Sequence, residues 1–570
     1  MEVKGILISA HFINTICKYY LEDTLMYLYR NYVKLRGAEM IETSVLIVGG
    51  GPVGLGLGLE LSRHGVDSVI VERNTSTTDH PKSRGTTART MEDFRTWGIE
   101  QEVRNGGVVG PDIIWACETI TGHLVGTTQA SPANIHSPCS KMTIAQDVVE
   151  RALARAVANE PNVDLRRSHD FLRYEQDDEG VTGCAKDLQT GKEITVRAKF
   201  LIGCDGAGSR VRKAEGIELI GPEIAQMANY YYWADTSKLP QASLGVVFNV
   251  LPNDPTIAPA RIAPSGPDNE RWLWISSLAP GAEPLDDDEL IRNVRGHWGI
   301  PDLEVRPINS LVWRMCAQIP ERLRSGRVIL AGDAAHRFPP AGGMGLNSGI
   351  QDVRNLGWKL AFALRGLAGE ALLDTYGKER LQVAKSNNEW SLGNAHRLPQ
   401  VEAVLRDRTS SPEAIREALI EQSKHLNSEG QGYGVPYANG ALVADSMPLP
   451  AHDHRIFWPS DAPGARFPHM WLDAEHKSST LDWFARDMVL VCGPDARQWR
   501  AAGEQIARES SYGLAVRVLP SMSGPFSFGR SGAALVRPDA VTAWRSSVEV
   551  SDHRATLLHV LDQVLGRSVS

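Results

Sequence analysis

The apolar positions of this chain change period along its length, and each change marks an element. Val45–Val48 is a continuous apolar run closed by glycine, the pattern of a short strand buried on both faces. Leucines at 55, 57, 59 and 61 follow within Gly54–His64, which reads as a helix stopped by Gly65. Ser68–Glu72 is a second short apolar run, so the segment predicts strand, helix, strand. Residues 111–130 alternate like a hairpin turning at Thr121-Gly122, and Met142–Asn159 has the spacing of an amphipathic helix. Residues 163–206 read as a strand-rich meander. From 216 to 312 aromatics and prolines dominate, as in Asn229-Tyr-Tyr-Tyr-Trp233, and predict an antiparallel sheet inserted into the first unit. Residues 326–336 return to a parallel strand, and 345–366 to a long helix. A helix and a Gly/Pro/Asn-rich linker fill 401–450. The remainder alternates strands with helices, the pattern of a small separate α/β domain.

At 570 residues the chain exceeds what one hydrophobic core supports, so two to four domains are expected. Net charge is −8, with no Lys/Arg run to suit nucleic acid or an anionic membrane. No apolar stretch approaches the ~18 residues of a spanning helix. Seven cysteines are scattered without a Cys-x-x-Cys pair, which fits free thiols in a reducing, cytoplasmic setting and argues against a disulfide frame or zinc. His452-Asp-His-Arg455 is crowded like a metal site but has no further ligand at usable spacing, so no metal is expected. Residues 1–39 suit neither a signal nor a transit peptide, and Met40 stands directly before the first strand. They read as an upstream start or a loosely attached extension.

Gly49-x-Gly51-x-x-Gly54 lies where the first strand hands over to the first helix. Gly49 permits the tight turn, Gly51 leaves bare backbone for a pyrophosphate, and Gly54 lets helix and strand pack closely. The free amides and dipole of the helix start favour the anion, with Pro52 and Val53 in the first turn. Glu72, followed by Arg73, stands 23 residues past Gly49, where a carboxylate grips an adenosine ribose. These residues predict a bound dinucleotide.

Two distant segments, Phe200–Lys213 (FLIGCDGAGSRVRK) and Arg327–Leu360 (RVILAGDAAHRFPPAGGMGLNSGIQDVRNLGWKL), narrow this further. Together with the glycine fingerprint they closely resemble the single-component FAD-dependent aromatic hydroxylases, the flavoprotein monooxygenases that include phenol, chlorophenol and polyketide hydroxylases. Gly532–Arg545 (GAALVRPDAVTAWR) is similar to the signature of the thioredoxin-like C-terminal domain of the phenol-hydroxylase branch, without a Cys-x-x-Cys, so packing or dimerisation is its expected role. The resemblance implies an α/β fold: a Rossmann-like FAD-binding domain (40–215 and 313–400), an inserted antiparallel β-sheet substrate domain (216–312 with part of 111–140), a helical linker (401–450) and a thioredoxin-like α/β domain (451–570). It also implies permanently held FAD, NAD(P)H visiting as a transient co-substrate, and O2. Oxygen transfer from a flavin C4a-hydroperoxide would hydroxylate a small phenolic or polyketide-like aromatic substrate.

The resemblance assigns FAD contacts to Arg89, Gln146, Asp205, Gly206, Asp333, Gly343, Gly345, Leu346 and Asn347, and sets Pro340 beside the reacting ring. Asp333 can accept a bond from a ribityl hydroxyl or cap the following helix. Helix-start amides near 343–347 suit negative charge on a reduced flavin. In phenol-hydroxylase-like members an acid stands five residues before the Arg-Thr-Met-Glu arginine; here that place is Arg84, which cannot be a base. Arg84 either steadies a phenolate or clamps a substrate carboxylate, or it faces solvent or the FAD phosphates. Tyr230 and Tyr232 share one face at period two, and Tyr232 either lines the substrate cavity or packs the sheet. The missing acid leaves room for a Baeyer–Villiger or epoxidising oxygenase on the same scaffold. A non-catalytic flavin-binding assembly protein is the rival from outside enzymes.

Overall fold

A computed structural model describes residues 39–567 except 109, 132–133, 425, 510–511, 547 and 549. The extension expected at 1–39 therefore lies outside the described residues apart from Glu39, which begins the strand Glu39–Glu42. The first βαβ unit forms where its pattern predicts: β1 (Val45–Val48), α1 (Pro52–Arg63) and β2 (Ser68–Val71), with both strands fully buried. β1 sits centrally in a six-stranded sheet, between β2 and the strand Phe200–Gly203, and pairs in parallel with both. Gly65 ends α1 with φ +72°, a left-handed turn that favours glycine.

The meander expected over 163–206 is divided between two sheets. Val163–Arg166 extends the six-stranded sheet beside β2, because the amphipathic helix Gln146–Ala158 carries the chain across as a parallel crossover. His169–Gln176, Val181–Asp187 and Glu193–Ala198 form their own sheet, and Glu39–Glu42 pairs in parallel with the last of them. Helix α2 (Ala88–Thr96) opens with the Thr87 hydroxyl accepting from the Thr90 amide.

The inserted sheet has seven strands. Its long members are β3 (Glu223–Ala234), β4 (Arg271–Leu278) and β5 (Val305–Cys316). Pairing is antiparallel except between Ile114–Cys117 and Val247–Val250, where the 114–127 hairpin joins in parallel. Helix α3 (Asp287–Trp298) covers one face, burying Trp298 against Trp272 with ring centroids 4.9 Å apart. The other face stays uncovered by any helix of the insert and meets the nucleotide-binding part across a cavity. β5 runs continuously through residue 312, so the expected boundary at 312/313 falls inside a strand.

Two long helices close the first unit: α4 (Met344–Leu364) and α5 (Ala371–Arg406). α5 contains Pro399 and passes unbroken through the expected boundary at 400/401. The apolar pattern weakens there while the backbone continues, because α5 packs against both α4 and the helix Pro412–Ser423. The C-terminal domain has a four-stranded sheet in the order Leu514–Val518, Met488–Cys492, Ala533–Val536, Thr542–Ser546, parallel only in its first pair, with helices Arg497–Glu509 and His553–Val564. That is the expected thioredoxin-like α/β arrangement. Cys492 is buried at a strand end, where burial pushes its thiol up to about 12. No helix among the described residues is long and apolar enough to cross a membrane, and no cluster among them could hold a metal ion.

Candidate active site

β1 delivers the chain to Gly49 at φ +107°, and a Cβ there would stand 2.4 Å from the Cys204 carbonyl oxygen. A Cβ on Gly54 would stand 1.9 Å from the Gly49 oxygen, so strand and helix touch backbone to backbone. Gly51 differs from both: a Cβ there meets nothing within 4 Å, because this position faces open space. α1 starts with Pro52 in its first turn and without any side-chain cap, which leaves its leading amides free for an anion. Glu72 sits alongside, its Oε2 accepting from the Gly50 amide at 2.6 Å and its Oε1 from the Asn74 amide at 2.7 Å. Gly51, Pro52, Val53, Glu72 and Arg73 all line one cavity.

The second helix start faces the same cavity. α4 begins after Gly343, at φ +66° and again with no side-chain cap. Pro340, Gly343, Gly345 and Leu346 are part of the wall. Asn347 also borders it, but its side chain is already occupied. Its Oδ1 accepts from the Thr87 amide (2.9 Å) and the Thr90 hydroxyl (2.6 Å), and its Nδ2 donates to the Gly85 (3.0 Å) and Gly343 (2.6 Å) carbonyls. Asn347 thus ties the start of α4 to the segment entering α2. Asp333, at the end of the strand Val328–Leu330, lies deep in the molecule with its side chain open to the cavity, and burial raises its carboxyl above the usual range.

Asp205 and Gly206 border the cavity as well. The Asp205 carboxylate accepts from the Ser209 hydroxyl (2.5 Å) and the amides of Arg210 (2.7 Å) and Val211 (3.2 Å), so it caps the short helix Arg210–Ala214. Gln146 lines the wall, its backbone N–H donating to the Ser83 carbonyl at 2.8 Å.

Beyond the second helix start the wall becomes the free face of the seven-stranded sheet. Met227 and Asn229 of β3, Leu273 and Ile275 of β4, and Leu311 and Trp313 of β5 supply it, every second residue of each strand. Asn229 accepts from the Trp313 indole at 3.0 Å. Arg84 enters from the opposite side. Its Nη2 donates to the carbonyls of Val246 and Pro264, both at 3.0 Å, and its Nε has no partner among the described residues. No carboxylate among the described residues pairs with it, and burial lowers its pKa to about 10, which still leaves it charged at neutral pH. The carboxylates on this part of the wall are matched: Glu402 by Arg261 at 2.5 Å, and Asp112 by Lys141.

The whole cavity measures about 1580 Å³. Pockets for one drug-sized ligand run to ~300–1,000 Å³, so this space holds more than one such molecule. A bare glycine cradle, two uncapped helix starts and a carboxylate open to the same cavity fit a flavin dinucleotide.

Comparison with known proteins gives the same answer. An FAD binding domain model matches residues 42–391, and a C-terminal model of aromatic-ring hydroxylases matches 460–568. The chain belongs to the FAD-dependent aromatic-ring hydroxylases. It is 34% identical to a 4-methyl-5-nitrocatechol 5-monooxygenase of Burkholderia, covering 92% of this chain and 98% of the relative. It is 32% identical to a tetracenomycin A2 monooxygenase-dioxygenase of Streptomyces glaucescens, covering 92% and 97%. Among solved structures, the flavin-dependent monooxygenase PieE in complex with FAD and substrate superimposes with a TM-score of 0.84 at 33% identity, covering 93% of this chain and all of that one. The complex of aklavinone-11 hydroxylase with FAD and aklavinone gives 0.79 at 28%, covering 92% and 99%. Ring hydroxylation with FAD is thereby favoured over Baeyer–Villiger oxidation, epoxidation and a non-catalytic carrier role.

Two residues of this hydroxylase stand elsewhere than the sequence suggested. Arg89, expected at the FAD phosphates, is buried on the far side of α2, where it donates to Glu92 (3.2 Å) and to the Asp539 carbonyl (2.5 Å). It is absent from the cavity wall because α2 turns that face toward the C-terminal domain. Tyr232, considered for the substrate cavity, is fully buried on the opposite sheet face among Trp272, Trp274 and Trp298. The parity of β3 decides this: 227 and 229 look into the cavity, 230 and 232 into the core under α3. Sequence reading passed over Asp352 and Arg380, which are buried beneath the Asp333 turn. The signal was present in α4, where Asp352, Arg354 and Lys359 interrupt an otherwise apolar, core-facing run and therefore demand partners.

Proposed function

We propose that this protein uses NAD(P)H and O2 to hydroxylate a multi-ring phenolic substrate, with Arg84 as the residue that holds the phenolate. The observation that carries this is the continuous cavity, with a half-buried guanidinium on its wall, unpaired with any carboxylate among the described residues, opposite an apolar sheet face. Relatives named for substrates as different as a nitrocatechol and the polycyclic tetracenomycins share the scaffold, and the size of this cavity favours the larger kind.

Bound FAD supplies electron transfer from NAD(P)H and the activation of O2. The chain supplies the rest. The α1 start and Gly51 receive the diphosphate, and Asp333 accepts from a ribityl hydroxyl. The α4 start offers amides and a positive dipole end to negative charge on the ring. Met227, Leu273, Ile275 and Leu311 exclude water and press an aromatic ring flat. No unpaired carboxylate or histidine among the described residues on this part of the wall can take the phenol proton. Arg84 instead lowers the cost of the phenolate, so that the proton leaves to water before the substrate is enclosed. NAD(P)H approaches beside Asp205 and Gly206.

The test is a panel of one-ring and multi-ring phenols incubated with the purified yellow protein, following NAD(P)H loss and product mass. The expected result is stimulation by multi-ring phenols with gain of one oxygen atom on the ring. Stimulation by single-ring phenols alone, or a lactone product, overturns the reading.

A further inference from the structure

The cavity wall is held from behind by charges that nothing in the chemistry above uses. Asp352, in the third turn of α4, is fully buried and accepts three hydrogen bonds. Its Oδ1 takes Arg380 Nε at 2.7 Å; its Oδ2 takes His336 Nε2 at 2.7 Å and the Gly332 amide at 3.0 Å. Gly332 precedes Asp333, so this carboxylate fixes the backbone of the turn that presents Asp333 to the cavity. Burial opposes the charge on Asp352, but His336 and Arg380 outweigh it and hold the carboxyl below its usual range.

One helical turn away the same two helices are gripped by the C-terminal domain. Arg537, fully buried, reaches Glu379 of α5 with both terminal nitrogens, at 2.7 and 2.8 Å, and Asp539 with Nε at 2.9 Å. Asn355 of α4 donates to Glu379 at 2.5 Å and to Asp539 at 3.2 Å. Glu379 is the neighbour of Arg380, and Asn355 lies three residues past Asp352. The Tyr437 hydroxyl joins the two groups, accepting from Arg380 at 3.2 Å and from Asn355 at 3.4 Å. Arg354 completes the clamp, donating to the Pro538 carbonyl (2.8 Å), to Asp93 of α2 (3.1 Å) and to Glu60 of α1 (2.6 Å). The turn Arg537–Asp539 therefore fastens α4 to α5, and Arg354, held by the same turn, ties α4 to α1; α1 and α4 carry the two starts that face the cavity.

We propose that Asp352 is a positioning residue for the Gly332–Asp333 turn, and that the C-terminal domain acts on the flavin site through it, by way of Arg537, Glu379, Tyr437 and Arg380. The domain is thus a brace for the FAD site, working from outside the cavity. The proposal rests on the reading of Asp333 as a flavin contact.

All three partners of Asp352 are donors, so an amide in its place sets an N–H against an N–H. The experiment strips FAD from full-length protein and titrates it back, following flavin fluorescence, with far-ultraviolet circular dichroism and melting of each apoprotein as controls. D352N is expected to raise the FAD dissociation constant tenfold or more, and R537Q three- to tenfold. The double variant is expected to be no worse than D352N, because both act along one line. Y437F, which removes only a hydroxyl, is expected to weaken FAD two- to threefold with an unchanged apoprotein melt, and it decides the matter if D352N does not fold. D333A is run alongside. If D333A keeps full affinity, the flavin-contact reading fails. If D333A loses affinity while D352N or Y437F keeps it, the brace alone is overturned, as it is if the effects of D352N and R537Q multiply.

Discussion

Gly51→Ala separates a glycine needed for the fold from one needed for the ligand. Gly51 has φ −77° and ψ −172°, extended backbone that alanine adopts freely. A Cβ there meets no atom within 4 Å. Folding therefore has no steric objection, and loss of unfolded-chain entropy adds ~0.4–1 kcal/mol of stability to the apoprotein. The added methyl nonetheless occupies the place where a phosphate oxygen approaches the leading amides of α1. Losing one hydrogen bond to a charged group costs ~1.5–3 kcal/mol. That weakens FAD roughly 10- to 100-fold, at ~1.4 kcal/mol per tenfold. Gly54→Ala is the contrast: its Cβ would lie 1.9 Å from the Gly49 carbonyl oxygen, inside the strand–helix contact. It should lower apoprotein stability by ~1–3 kcal/mol or prevent folding. The assays are thermal melting of both apoproteins and FAD titration by fluorescence quenching. Full FAD affinity in Gly51→Ala, or a melting loss in it matching that of Gly54→Ala, would refute the placement of the diphosphate against Gly51.

Arg84→Met should keep FAD yet lower kcat/KM for a phenol by ~10²-fold, the scale of one lost oxyanion contact, as read by steady-state kinetics on holoenzyme. Tyr232→Phe should leave KM unchanged and shift the melt by under about 1 kcal/mol, since that hydroxyl is buried on the far sheet face beside Trp298; a changed KM would put Tyr232 back in the cavity. Burial raises the Asp93 carboxyl from 3.8 to about 7, so the folded state holds a proton that the unfolded chain has released. Stability is then greatest below pH 3.8 with respect to this group and falls as pH rises toward 7, by at most about 4 kcal/mol at ~1.36 kcal/mol per unit. Asp93→Asn should flatten the melting profile between pH 5 and 8. Cys492→Ala should leave turnover and its response to thiol reagents unchanged, because the thiol is buried and pushed up to about 12.

Local pattern was enough to determine the βαβ unit, the glycine cradle and both helix starts. These depend on residues within a few positions of one another: the apolar run of Val45–Val48, the bare backbone at Gly51, the uncapped turn after Gly343. Short-range sterics and free amides act the same way in any surroundings, so a linear reading reaches them. The sequence likewise determined that Arg84 is no base, since a guanidinium keeps its proton wherever it is placed. What only the tertiary structure decided were the partners of charges. Arg89 looked like a phosphate ligand and became a contact to the C-terminal domain, because the direction of α2 depends on what packs behind it. Tyr232 turned inward because the parity of β3 is set by α3 on one face and the cavity on the other. The helix α5 crossed its expected end because packing against α4 and the helix Pro412–Ser423 outweighs a proline near its C-terminus. Asp352 and Arg537 are separated by 185 positions in the chain and linked by hydrogen bonds across buried helices. Buried charge must find its counter-charge in space, and spacing along the chain carries no record of where that will be.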